Sequence, residues 1–178
     1  MHVKPFRYRA YISYSHADEV WAAWLQRALE SYRVPARLSA SSRGAPQPRR
    51  IAPVFRDRED LSSASSLTES LVEALRNSEA LIVVCSPAAA TSRWVNEEIR
   101  QFRSQGGDRP VLCMVVDGEP SAAPGKGGCF PPALFEGVEE SAAEPLAADP
   151  RAFADGKRLA RLKLIAGLLG LRLDELRR

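Results

Sequence analysis

The sequence predicts an α/β domain, with a parallel sheet of about five strands and helices on both faces. Three observations carry this expectation. Short apolar and β-branched runs alternate with helical patterns from residue 8 to residue 171, which is how βαβ units are written. One run, "ALIVVCS", is apolar throughout, as a central strand covered on both faces must be. A chain of 178 residues, 45% hydrophobic and 26% charged, is of a size and balance for one domain with a substantial core.

The elements follow in order. "YRAYISYS" is a short aromatic and β-branched strand. "SHADEVWAAWLQRALESYRV" is a helix with Val20, Trp24, Leu25 and Leu29 at helical spacing, and Ser15 and Asp18 fit a capping box at its start. "PARLSASSRGAPQPRR" reads as a surface loop. "IAPVF" is a second strand whose prolines favour a sheet edge. "RDREDLSSAS" is a loop of mixed charge, and "SLTESLVEALRNS" a helix with Leu67, Leu71 and Leu75 on one face and Ser66 and Glu69 as its capping box. The third strand, "ALIVVCS", precedes a helix, "SRWVNEEIRQFRSQ", with Ser92 as its N-cap. "PVLCMVV" is a fourth strand, residues 117–150 are irregular, and "KRLARLKLIAGLLGL" is a final amphipathic helix.

Bulk properties exclude several functions. The net charge of +3 is spread over arginines that alternate with acids, so no nucleic-acid partner is expected. No apolar run reaches the ~20 residues that span a bilayer, and the N-terminus lacks a signal-peptide core, so a cytoplasmic protein without membrane contact is expected. Cys85, Cys113 and Cys129 form no close-spaced pair, and the first two lie in apolar strands as buried, reduced thiols. His2 and His16 are the only histidines, which argues against a zinc site. "GEPSAAPGKGG" has the wrong spacing for a P-loop, and no G-x-S-x-G occurs. A phospho-receiver domain would need acids at strand ends that "YISYS" and "VVCSP" do not supply.

Ligands of parallel sheets bind beyond the carboxyl ends of the strands. Ser13 to His16, Arg56 to Leu61 and the Trp94 helix should therefore share one rim. At roughly 100° per residue, Val95, Ile99 and Phe102 form the buried face of that helix. Glu98 falls on the shoulder of this face, roughly 70° from its centre, and Glu97 points to water. Trp94, one turn before Glu98, is its neighbour. A carboxylate beside an indole at the core's edge is partly desolvated and can face a cleft.

Taken together, "YRAYISYSHAD", "PVFRDREDL" and "SLTESLVEALRNSEALIVVCSPAAATSRWVNEEI" resemble a TIR (Toll/interleukin-1 receptor) domain of the bacterial type. The motifs occur in the family's order over about residues 6 to 116, and "EPLAADPR" and the last helix would supply the fifth strand and helix. The resemblance implies a flavodoxin-like three-layer sandwich and a single domain over 1–178, with its core at about 6–170. Residues 171–178 could begin a linker to a missing domain. It implies an NAD+ hydrolase that cleaves the nicotinamide–ribosyl bond, giving nicotinamide and ADP-ribose or a cyclic ADP-ribose, with NAD+ as substrate and no cofactor or metal. Glu98, the glutamate of W-x-x-x-E, would be catalytic. Tyr14, Ser15, His16, Ser62 and Trp94 would border the substrate. The loop holding Ser62, "DREDLSSAS", lacks the glycine common in the family, and animal relatives place arginines where this chain has Ser15 and His16. The same resemblance implies TIR–TIR self-association, a sensor domain elsewhere in a longer chain, and an effector role in bacterial signalling or antiphage defence. The alternative is a non-catalytic TIR interaction module, since one fold hosts both roles.

Overall fold

The computed structural model describes residues 5–39, 47–57, 66–137 and 147–177. In chain order these form β1 (Ala10–Ser13), α1 (Glu19–Glu30), α2 (Ala36–Ser39), β2 (Val54–Arg56), α3 (Glu69–Arg76), β3 (Leu81–Cys85), α4 (Pro87–Ala90), α5 (Arg93–Ser104), β4 (Val111–Val115), β5 (Ala147–Ala148), α6 (Gly156–Leu169) and α7 (Leu173–Arg177). Short 3-10 turns precede α1 at His16–Asp18 and follow β4 at Pro132–Phe135.

All five strands are parallel, in the order β2-β1-β3-β4-β5. This is the doubly wound, flavodoxin-like order, whose switch point lies between β1 and β3. β3 is central and buried at every residue, as its unbroken apolar run requires. β2 takes the edge, where Pro53, lacking an N–H, interrupts no ladder.

The two-residue period of the strands divides the interior into two cores. Ala10 and Ile12 of β1 face α1, α6 and α7, and join Leu25, Leu29, Leu164, Ile165 and Leu176. Tyr11 faces the other way and joins Leu71 and Leu75 of α3 and Val95, Ile99 and Phe102 of α5. Cys85, Cys113 and Cys129 are unpaired, buried thiols of this second core. Among the described residues no helix is long and apolar enough to cross a membrane.

Several element ends differ from the sequence expectation. Val20 is 83% exposed, because α1 buries Ala22, Leu25 and Leu29, and position 20 lies roughly opposite Leu29 on the helical wheel. Neither Ser15 nor Asp18 caps a helix through its side chain; the Asp18 carboxylate instead accepts from the Ser86 hydroxyl. α3 starts later than expected, so Thr68 is its N-cap, its hydroxyl accepting from Leu71 N–H, while Ser66 lies too far upstream. Ser92 caps α5 as expected, accepting from Val95 N–H at 3.2 Å. α7 occupies Leu173–Arg177, with Leu176 buried in the first core.

One arginine joins the ends of two helices. Arg109 donates to the carbonyls of Leu75 and Ser78 at 2.8 and 2.9 Å, to that of Phe102 at 2.9 Å, and to the Gln105 side chain at 3.2 Å. Its guanidinium lies 3.8 Å from the Phe102 ring centroid. It satisfies carbonyls that the last turns of α3 and α5 leave open. Arg109→Ala should lower stability by about 2–4 kcal/mol, as expected for loss of a multidentate charged donor, with Arg109→Lys recovering only part. Urea denaturation of the three proteins measures this.

Candidate active site

α5 crosses the sheet near β1, and Glu98 is the residue it turns toward that strand. The two-residue period puts Tyr11 and Ser13 on the same face of β1. The Tyr11 hydroxyl donates to Oε2 of Glu98. The Ser13 hydroxyl donates to Oε1 at 3.0 Å. Both carboxylate oxygens are thus held by the chain's own hydroxyls, and the residue is 6% exposed. The helical wheel put Glu98 on the shoulder of the buried face; the structure puts it further in. The difference arises because β1 carries two donors beneath it, so a carboxylate is accommodated where an unpartnered one would not be.

Burial is the largest influence on this group and pushes its pKa up from 4.5 to about 7. The hydrogen bonds from Tyr11 and Ser13 pull it down, and the charge of Asp57 adds to the rise. Tyr11 is itself pushed well above the ordinary tyrosine value, first by burial and then by the neighbouring Glu98, so its hydroxyl keeps its proton and stays a donor. Its ring stacks on Phe55 at 4.9 Å and 24°, which fixes the hydroxyl in space.

The other residues expected at the site take varied places. Trp94 is half-buried and belongs to neither hydrophobic cluster of described residues; the Arg93 guanidinium lies 4.8 Å from its ring centroid. Tyr14 packs with the first core, on the opposite side of the sheet from Glu98, and its hydroxyl donates to the carbonyl of Asp57. The loops after β1 and β2 therefore meet at one rim. Ser15 is half-buried and its carbonyl accepts from Asp18 N–H at 2.8 Å. His16 is exposed in the 3-10 turn. Ser62 lies outside the described residues. Glu97 is on the surface, paired with Arg100 at 3.2 Å, which also grips Glu136.

Sequence reasoning placed Ser13 on the rim without a role, and missed the roles of Tyr11 and Asn96. Alternation within "AYIS" was a usable signal for the first two, since a tyrosine in a buried strand needs a partner for its hydroxyl. Asn96 is 8% exposed. Its amide donates to the carbonyls of Ala90 and Ser92, and its Oδ1 accepts from Ala133 N–H at 2.9 Å. It locks the start of α5 to the chain after β4. Among the described residues, no group of three or more His, Cys, Asp or Glu side chains could hold a metal.

A family model described as the TIR domain matches residues 11–144. The chain belongs to the TIR domain family. The NAD(+) hydrolase ApTIR of Actinoplanes sp. is similar to this TIR domain, 40% identical over 114 residues. That match covers 64% of this chain and 14% of the relative's length. The activated Roq1 resistosome bound to the effector XopQ (TIR domains) aligns over 63% of this chain and 59% of that one, at 21% identity with a TM-score of 0.42, a likeness too loose to bear on function.

The raised pKa makes Glu98 a source of pH-dependent stability. Below pH 4.5 folded and unfolded chains both hold its proton. Between 4.5 and about 7 the folded chain keeps a proton that the unfolded chain has lost. Stability therefore falls as pH rises across this window, by about 3 kcal/mol in all. Glu98→Gln keeps the shape and removes the charge. It should be more stable than the parent at pH 8 by up to about 3 kcal/mol, with the difference fading toward pH 4.5. Denaturation midpoints of the pair across pH 4.5–8 check this.

Proposed function

We propose that this TIR domain cleaves NAD+ at the nicotinamide–ribosyl bond, with Glu98 as the catalytic carboxylate. The observation that carries the reading is a buried glutamate near the β1 carboxyl end, both its oxygens held by hydroxyls and its pKa pushed up by burial to about 7, in the W-x-x-x-E position of the TIR pattern. The name of the Actinoplanes relative supports it. The bond from the anomeric carbon to the nicotinamide nitrogen breaks, and its electron pair leaves with the ring. Nicotinamide is a cationic leaving group and departs neutral, so no general acid is needed. Positive charge grows on the ribose, and a fixed carboxylate stabilises it. Water then adds to the anomeric carbon and releases a proton, giving ADP-ribose. If an adenine nitrogen adds instead, the product is a cyclic ADP-ribose. Trp94, an aromatic side chain not consumed by either core, would wall the substrate, while Tyr14, Ser15, His16 and Ser62 would border it.

The ionised carboxylate is the active form, so kcat/KM should rise with pH through about 7. The cationic substrate favours the ionised form once bound, so the kcat limb should lie at lower pH. Glu98→Ala should lose at least ~10²-fold in turnover, and Glu97→Ala should stay near the parent. Nicotinamide release assayed from pH 5 to 9 checks both; parent-like turnover in Glu98→Ala would sink the assignment. A parent inert toward NAD+ at every concentration would leave the interaction-module reading.

We further propose that TIR–TIR contact governs activity. Support comes from the enclosure of Glu98 and from the mixed charges of the 56–60 segment, "RDRED", which suit specific contacts between copies. In this reading the domain is the cytoplasmic effector of a longer bacterial signalling or antiphage defence protein, with a sensor elsewhere. NAD+ turnover per molecule should then rise as protein goes from nanomolar to high micromolar; a flat line from a persistent monomer would count against it.

A further inference from the structure

The two hydroxyls on Glu98 are not equivalent. Ser13 is the last residue of β1 and, like Tyr11, is 0% exposed; it lies toward the strand end beyond which ligands of this fold bind. Tyr11 lies two residues further in, roughly 6–7 Å along the strand. Its ring is 0% exposed, stacked on Phe55, which also meets Tyr8 edge-on at 5.1 Å. A tyrosine so enclosed cannot swing away without opening the second core. A serine at the strand end can turn its hydroxyl with one bond rotation. A ribose hydroxyl is chemically the same donor as the serine hydroxyl, so it can replace Ser13 on Oε1 without leaving the carboxylate short of a partner.

We propose that Tyr11 is the positioning residue of this site: its hydroxyl holds Oε2 of Glu98 in both the free and the substrate-bound domain, while the Ser13 hydroxyl on Oε1 gives way to a ribose hydroxyl of NAD+. The proposal rests on the reading of Glu98 as the reacting carboxylate. Among the described residues, the titratable groups acting on Glu98 are Tyr11 from β1 and Asp57 from the loop after β2; both are acids. Asp57 disfavours the ionised carboxylate, whereas each hydroxyl that donates to it favours ionisation. Tyr11 keeps its proton because burial and Glu98 both raise its pKa, so it donates over the whole working range. Without it, one oxygen of the ionised carboxylate would lie against the core with no partner.

The test separates the free and bound states. Tyr11→Phe fills the same space and keeps the ring on Phe55. It should raise the Glu98 pKa, read from the side-chain carboxyl carbon by NMR, by about one unit. It should move the acid limbs of both kcat/KM and kcat upward, and so lower kcat about tenfold on the acid side of its limb. Ser13→Ala should move the kcat/KM limb, which reports the free domain, and leave the position of the kcat limb where it was. 3,5-Difluorotyrosine at position 11 keeps the hydroxyl, strengthens it as a donor, and should lower the Glu98 pKa, which covers the case of a poorly folded Tyr11→Phe. A carboxyl titration unmoved by the change at position 11 would overturn the proposal, as would limbs that shift together in Ser13→Ala. If the parent cleaves no NAD+, the functional reading fails and takes the exchange at Oε1 with it, while the carboxyl titration still decides whether Tyr11 sets the charge of Glu98.

Discussion

Everything notable about this domain depends on a carboxylate placed where water is scarce. An isolated charge at that depth would simply take up a proton or open the fold. Here β1 supplies two hydroxyls, spaced by one strand period, to the two oxygens of Glu98. Burial and hydrogen bonding pull in opposite directions, and burial wins by enough to put the titration near neutrality. A group poised there can be charged or neutral at small free-energy cost, which is what an acid–base or electrostatic role at neutral pH requires.

The rest of the fold keeps that poise. α5 must stay fixed over β1, and three devices hold it. Val95, Ile99 and Phe102 are buried in the second core. Asn96 ties its first turn to the segment after β4. Arg109 ties its last turns to α3. The sheet contributes through topology: the β1/β3 switch point splays the loops apart at the carboxyl rim, and Ser13 ends β1 on that side with Tyr11 two residues deeper, both fully buried. The two faces of β1 separate neighbouring tyrosines. Tyr11 joins the Glu98 side, and Tyr14, just past the strand, packs with α1 and links to the β2 loop.

Local pattern was enough for much of this. Strand and helix alternation gave the parallel sheet, the apolar run of β3 gave its central place, and the prolines before β2 gave the edge, because each depends on nearest-neighbour chemistry and on a period of two or of 3.6 residues. The helical period also separated Glu98 from Glu97, and the W-x-x-x-E spacing made Glu98 the candidate. Element ends were less legible. Thr68 and Ser66 are both acceptable caps by composition, and which one serves depends on where Leu71 and Leu75 meet the sheet. Val20 has the right spacing from Trp24 but the wrong phase relative to Leu25 and Leu29.

The sequence by itself determined the order of elements, the identity of the buried face of α5 and the carboxylate that stands at its margin. Only the tertiary structure decided how deep that carboxylate lies and what holds it. The reason is sequence separation: Glu98 meets Tyr11 and Ser13 across 87 and 85 residues. No local period reports a pairing of that kind. It is set by the register of α5 against β1, which the packing of two whole cores fixes at once.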